Sequence, residues 1–226
     1  MTRKIRMTVV CVMAIAAVTN AATIHNNRTI FEAALGDKIT DDYENPGYAG
    51  FVPATNAAMS AVLGETAYTT TGLVEHNIVY YLPENTSDNY YCAGCNGSYQ
   101  LDFTTTSVGD ASGVFGAGFD VDANTSYQPY HAFVTFGDAS TADFELPAAN
   151  SFWGITSSIN IASIHVGLAD GLATTDGSFS HDNLTIGNVI PEPATGALLV
   201  LGLAGLAGRR SRQALHILGG SQKAHA

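Results

Sequence analysis

Hydrophobic and polar positions along this chain fall into two regimes. Asn27 to Leu35 has helical spacing, with Ile30, Ala34 and Phe31 toward one side and Gly36 as its stop. Beyond it the pattern has period two. Gln100–Thr105, Tyr130–Phe136, Thr141–Leu146, Ser151–Thr156, Ile159–Val166 and Ser178–Ile186 alternate or are rich in Thr, Phe, Tyr and Val. Val114-Phe115-Gly116-Ala117-Gly118-Phe119 reads as a strand buried on both faces, its glycines admitting a close neighbour. Turns are expected at Gly137-Asp138, Asp170-Gly171 and Asp176-Gly177. Short strands at this spacing predict a mainly β domain, an antiparallel β-sandwich or jelly roll with one short N-terminal helix.

Two uninterrupted apolar runs lie outside that pattern. The first, Met7 to Val18, follows Arg3, Lys4 and Arg6 and precedes Thr19-Asn20-Ala21-Ala22. That order is a secretory signal peptide, with cleavage expected after Ala21 or Ala22. Cys11 lies inside its apolar run and is expected to leave with it. The second run, Ala194 to Gly208, carries no charge and predicts a C-terminal hydrophobic helix. At about 1.5 Å per residue it reaches roughly 22 Å, short of the ~30 Å hydrocarbon core, so it spans only with thinning or snorkelling. Arg209, Arg210 and Arg212 follow it and suit the cytoplasmic side. Pro191 and Pro193 hold the preceding segment extended. The expected organisation is a signal peptide (1–22), a β ectodomain (23–188), a sorting segment (189–212) and a tail (213–226).

The order Pro191-Glu192-Pro193, apolar run, Arg209-Arg210-Ser211-Arg212 strongly resembles the PEP-CTERM protein-sorting signal of exported bacterial proteins. The resemblance covers about residues 189 to 212. It implies transient residence in the inner membrane, processing by an exosortase-type enzyme, and delivery to the surface of a cell that makes exopolysaccharide. Pro193-Ala194-Thr195-Gly196 also matches four-fifths of a sortase signal, but Glu192 stands where that signal needs Leu. The chain departs from the family in continuing from Gln213 to Ala226 after the basic cluster. A weaker resemblance extends upstream. Asp41-Asp42, Gly118-Phe119-Asp120, Trp153-Gly154-Ile155-Thr156 and Asp182-Asn183-Leu184 are similar to a pattern of PEP-CTERM ectodomains, with Trp153 where Phe is usual. Such ectodomains look like lectin-type or galactose-binding-type sandwiches.

Charge sharpens the picture. Of nine basic residues only Arg28 and Lys38 fall in the ectodomain, against nineteen carboxylates, a formal charge near −17 there and −11 for the chain. A surface of that sign repels nucleic acid and anionic lipid, so neither is an expected partner.

Chemistry is sparse by comparison. Cys92-Ala93-Gly94-Cys95 is the one cysteine pair of the mature chain. In an oxidising compartment it is expected to close as a disulfide; a zinc site would need a second pair. Asp41, Asp42 and Glu44 near the front of the domain and Asp182 near its end are a candidate set for structural calcium, if first and last strands are neighbours. Asp120, Asp122 and Asn124 begin like a calcium loop, but Thr125 and His131 break the EF-hand pattern. His76, His131, His165 and His181 show no metal-ligand spacing, and there is no nucleophile elbow. No catalytic residue is assigned. Tyr80, Tyr81, Tyr90, Tyr91, Tyr99, Tyr127 and Tyr130 are a stock of rings for stacking on sugars. The reading is an exported surface or matrix protein, structural or exopolysaccharide-associated. A lectin-like binding module is the first alternative and a carbohydrate-active enzyme the second.

Overall fold

The computed structural model describes residues 22–80, 89–122 and 129–189. The signal peptide through Ala21, the sorting residues from Ile190 with the hydrophobic helix expected there, Arg209, Arg210 and Arg212, and the tail lie outside them, as do Tyr81, Asn124 and Tyr127. The elements are β1 (Thr23–His25), α1 (Arg28–Ala33), β2 (Leu35–Asp41), α2 (Asn56–Ser60), β3 (Ala67–Thr70), β4 (Asn77–Tyr80) and β5 (Tyr90–Ala93). They continue with β6 (Tyr99–Asp102), β7 (Val114–Val121), β8 (Tyr130–Phe136), β9 (Thr141–Glu145), β10 (Ser151–Leu168) and β11 (Ser180–Val189). The domain is mainly β. Among the described residues no helix is long and apolar enough to cross a membrane.

All the strand ladders are antiparallel, and they join into one sheet ordered β3-β6-β10-β7-β11-β5-β4. Its curvature brings the end strands β3 and β4 back together, making it nearly a barrel. Asn56 spans the seam: its Oδ1 accepts from Thr70 N (3.1 Å) on β3 and from Asn77 Nδ2 (2.9 Å) on β4. β10 has 18 residues and serves two neighbourhoods. Its first half lies between β1 and β7, and its second between β6 and β8. The register shift between Ile161 and Ser163 turns the strand from one to the other. Two strands expected from the sequence are thus one bent strand.

Alternation puts Phe119, Val121, Ile155, Ile164, Leu101 and Val134 inside, where they form one continuous core. β7 is indeed covered on both sides. Its outward Gly116 and Gly118, with Gly154 on β10, leave a depression that receives Phe31, Leu35 and Phe152. A Cβ on Gly116 would stand 2.5 Å from Leu35 Cδ2, and one on Gly154 2.9 Å from Phe31 Cδ2. The helix expected at 27–35 is α1, shorter at its end because Leu35 already starts β2. Asn27 caps it through a bond from Ile30 N (3.0 Å). α2 was not legible from periodicity; five residues are too few to show a period.

Candidate functional site

The cation that ties the N-terminal elements to the sheet is Arg28. Its Nε donates to both oxygens of Asp120 (3.2 and 3.1 Å), and Nη2 lies 3.0 Å from Asp120 Oδ2. Nη1 donates to Glu32 Oε1 (3.3 Å) and Thr185 Oγ1 (2.9 Å), and Nη2 to the Asn183 carbonyl (2.8 Å). Its Cζ lies 4.9 Å from the centre of the Phe152 ring. One guanidinium therefore joins α1, β7, β10 and β11, using the fork geometry that Lys lacks. Lys38 pairs with Glu32 (2.9 Å), which holds that carboxyl below its usual range, with desolvation opposing.

The four carboxylates considered for calcium take separate places. β2 does lie beside β11, with Asp41 opposite Leu184. Asp41 points inward: its Oδ2 accepts from Tyr48 (2.5 Å) and Tyr68 (2.8 Å), and its Oδ1 from Tyr43 N (3.1 Å). Asp42 closes a turn on Glu44 N, and Glu44 accepts from Asn89. Asp182 faces outward and opposes Asp120 across the β7–β11 ladder. The reversal comes from a bulge at Asn183, whose φ of 52° shifts the register before Thr185. Among the described residues, no three His, Cys, Asp or Glu side chains converge in a way that could hold a metal ion. Cys92 and Cys95 are bonded, with Cα atoms 4.6 Å apart, and close the turn after β5.

The interior holds a polar chain. His181 is fully buried between Tyr99 and Tyr43: Nδ1 is 2.6 Å from the Tyr99 hydroxyl, Nε2 2.7 Å from that of Tyr43. Tyr43 meets Tyr68 at 3.1 Å, and Tyr68 reaches Asp41. An ionised Asp41 only accepts, so the donors run one way. Tyr68 donates to Asp41, Tyr43 to Tyr68, His181 Nε2–H to Tyr43, and Tyr99 to His181 Nδ1. Burial pushes the His181 pKa down to about 3, keeping the ring neutral, and raises that of Asp41. It raises Tyr43, Tyr68 and Tyr99 as well, so their hydroxyls stay protonated. At its Asp41–Tyr68 end the polar chain borders a space of only about 10 Å³, the size of a water molecule. It satisfies polar groups in a β interior, and no local sequence signal marks it, because its members are spread from residue 41 to 181.

The concave face is outside. Asp120, Asp122, Asn150, Ser151, Asp182 and Asn183 line an open cleft of about 340 Å³, floored by Val121 and Phe152. That size lies within the range of small-ligand sites. Asn183 Nδ2 sits between the two facing carboxylates, 3.1 Å from Asp120 Oδ2 and 2.8 Å from Asp182 Oδ2. Ser180 Oγ donates to Asp122 Oδ1 (3.2 Å). Beside this cleft stands a row of rings. Tyr80 and Tyr90 are cross-strand partners on β4 and β5, stacked with centroids 5.4 Å apart and planes 21° apart. Phe51 meets Tyr80 edge-on at 4.5 Å and is 39% exposed. Its backbone is held at φ 62° by a bond from its N–H to the Val79 carbonyl (3.0 Å). Burial, then the charge of Asp122, pushes the Tyr90 pKa up to about 12. Tyr91 pairs with His181, so Tyr90 comes beside Asp182 at the edge of the cleft. The rings anticipated for stacking thus divide. Tyr91 and Tyr99 belong to the core, Tyr130 packs on Phe179, and Tyr80 and Tyr90 stack on each other, Tyr80 half-buried and Tyr90 buried. Phe51 was not anticipated, since only the bridge from Gly50 to Val79 brings it to Tyr80.

No curated protein matches the chain. Residues 189–212 match the family model described as the PEP-CTERM protein-sorting motif, beginning at the last residue of β11. The match covers the proline-bracketed motif, the apolar run and the basic stop, and it implies processing by an exosortase. By this motif the chain is an exported protein, sorted to the cell surface or the extracellular space after processing.

Proposed function

We propose that the β domain is a non-catalytic, exopolysaccharide-associated module of a surface or matrix protein. One observation carries this reading: the register of β5, β11 and β7 sets Tyr90, stacked on Tyr80, beside Asp182 and Asp120 of a cleft lined with carboxylate and amide side chains. Aromatic faces cover the C–H faces of pyranose rings, while carboxylates and amides receive hydroxyl donors. That combination is the lectin-like way to hold a sugar. The sorting signal supports it by delivering the domain to where extracellular polymer lies.

Retention of the exported protein on cell-free exopolysaccharide tests the reading. Replacing Phe51 and Tyr80 together by Ala should cut retention by about tenfold or more, each lost stacking contact contributing about 1 kcal/mol. Equal retention of the double variant, at unchanged melting temperature, would remove the ring row from the function.

A further inference from the structure

We infer that the Cys92–Cys95 disulfide is a one-sided thiol-exchange site: a small aliphatic thiol attacks it at Cys95 Sγ, and Cys92 Sγ is the sulfur that leaves.

The two cysteines have different surroundings. Cys92 is the third residue of β5 and is held from both sides, paired with Ile78 on β4 and with Ser180 on β11. It is fully buried. Cys95 lies beyond the end of the strand, in the turn, and is only half-buried, with the exposed Asn96 after it. A thiolate strikes a disulfide in line with the S–S bond and needs access to the sulfur it attacks. The ladders on either side of β5 deny that access at Cys92, so exchange in the folded protein is confined to Cys95.

The bond also ties little together. Its partners are three positions apart and belong to one strand end and the turn that follows. A loop that short removes little freedom from the unfolded chain, so opening it leaves the sheet standing. The turn has supports of its own. Gly97 N–H donates to the Ala93 carbonyl (2.9 Å), and Gly94 packs so closely that a Cβ there would stand 2.3 Å from Leu73 Cδ1.

The exchange runs in two steps. The first thiolate bonds to Cys95 Sγ as the Cys92–Cys95 bond breaks, and Cys92 leaves as a thiolate that takes up a proton, because burial disfavours its anion. A second small thiol then bonds to the sulfur of the first. Cys95 is released as a thiol, and a small-molecule disulfide departs. Two small thiols are oxidised and one protein disulfide is reduced. Until the second step Cys92 stays beside Cys95 and can strike back, expelling the first thiol and restoring the bond.

Single-cysteine variants of the exported protein test the site. With a chromogenic aromatic disulfide, the Cys95 thiol of Cys92→Ser should react at least about tenfold faster than the Cys92 thiol of Cys95→Ser, and the two should react alike in denaturant. Equal rates in the folded proteins, or a faster Cys92, would overturn the inference. If either variant melts early, the parent protein decides. It is exposed while folded to excess glutathione, quenched in acid and mapped by peptide mass spectrometry. The expected glutathione adduct is on Cys95. An adduct on Cys92, or none on Cys95, would make the disulfide an inert part of the turn.

Discussion

His181 is the residue whose environment has the clearest solution consequence. Its folded pKa is near 3, against about 6.5 when unfolded. Above pH 6.5 both states are neutral and its contribution is fully present. As pH falls below 6.5 the unfolded chain takes up a proton that the folded ring refuses. Stability should therefore decline between about pH 6.5 and 3, by up to about 1.4 kcal/mol per pH unit from this group. Asp41 works the other way, since burial raises its pKa and protonation then favours the folded state, so the net fall should be smaller. Melting measured from pH 7.5 to 4 checks this: His181→Phe should be less stable at neutral pH but show a flatter acid slope. An unchanged slope would place the acid sensitivity elsewhere. Trp153 is a second residue-scale case. Its Nε1 is buried without a partner, at the position where the resembling pattern has Phe. An orphaned N–H costs about 1–3 kcal/mol, comparable with the packing lost on shortening the ring. Trp153→Phe should therefore change stability by no more than about 1 kcal/mol in thermal melting.

At the scale of elements, α1 depends on one side chain. Arg28 is three-quarters buried and holds groups on β7 and β11 as well as its own helix. Arg28→Ala should cost about 2 kcal/mol, and Arg28→Lys should recover less than half, because an ammonium cannot serve four directions at once. A Lys variant as stable as the parent in denaturant unfolding would show that charge alone suffices. This element also shows what sequence can and cannot reveal. The acidic surplus pointed to calcium on Asp41, Asp42, Glu44 and Asp182, which the structure holds in separate places. Arg28, ninety-two positions from Asp120, carried no local sign that it would pair there. Period-two reading located β8 and β9 closely, since their alternation is unbroken, and the glycine and apolar run located β7. It split β10, where a bulge breaks the period, and it missed β1 to β5 and α2, all but β2 being three to five residues long. Asn183 is the decisive local case. Counting by twos from His181 puts Leu184 outside, whereas the bulge returns it to the core and leaves Asp182 on the cleft.

For the whole molecule, the C-terminal sorting segment was the most legible part, because targeting information is written in contiguous runs rather than in folded contacts. The cleft was the least legible: its walls come from β7, β10 and β11, and its rings from β4, β5 and the segment before α2. The domain's formal −17 opposes close approach to nucleic acid and anionic membranes. The most direct measurement is intact-mass spectrometry of the protein eluted from washed exopolysaccharide. The account predicts a polymer-bound species starting at Ala22 or Thr23 and ending at or near Pro191-Glu192-Pro193, with Cys92 and Cys95 oxidised. Absence of the protein from the polymer, or recovery there of a chain still carrying Arg209 to Ala226, would contradict it.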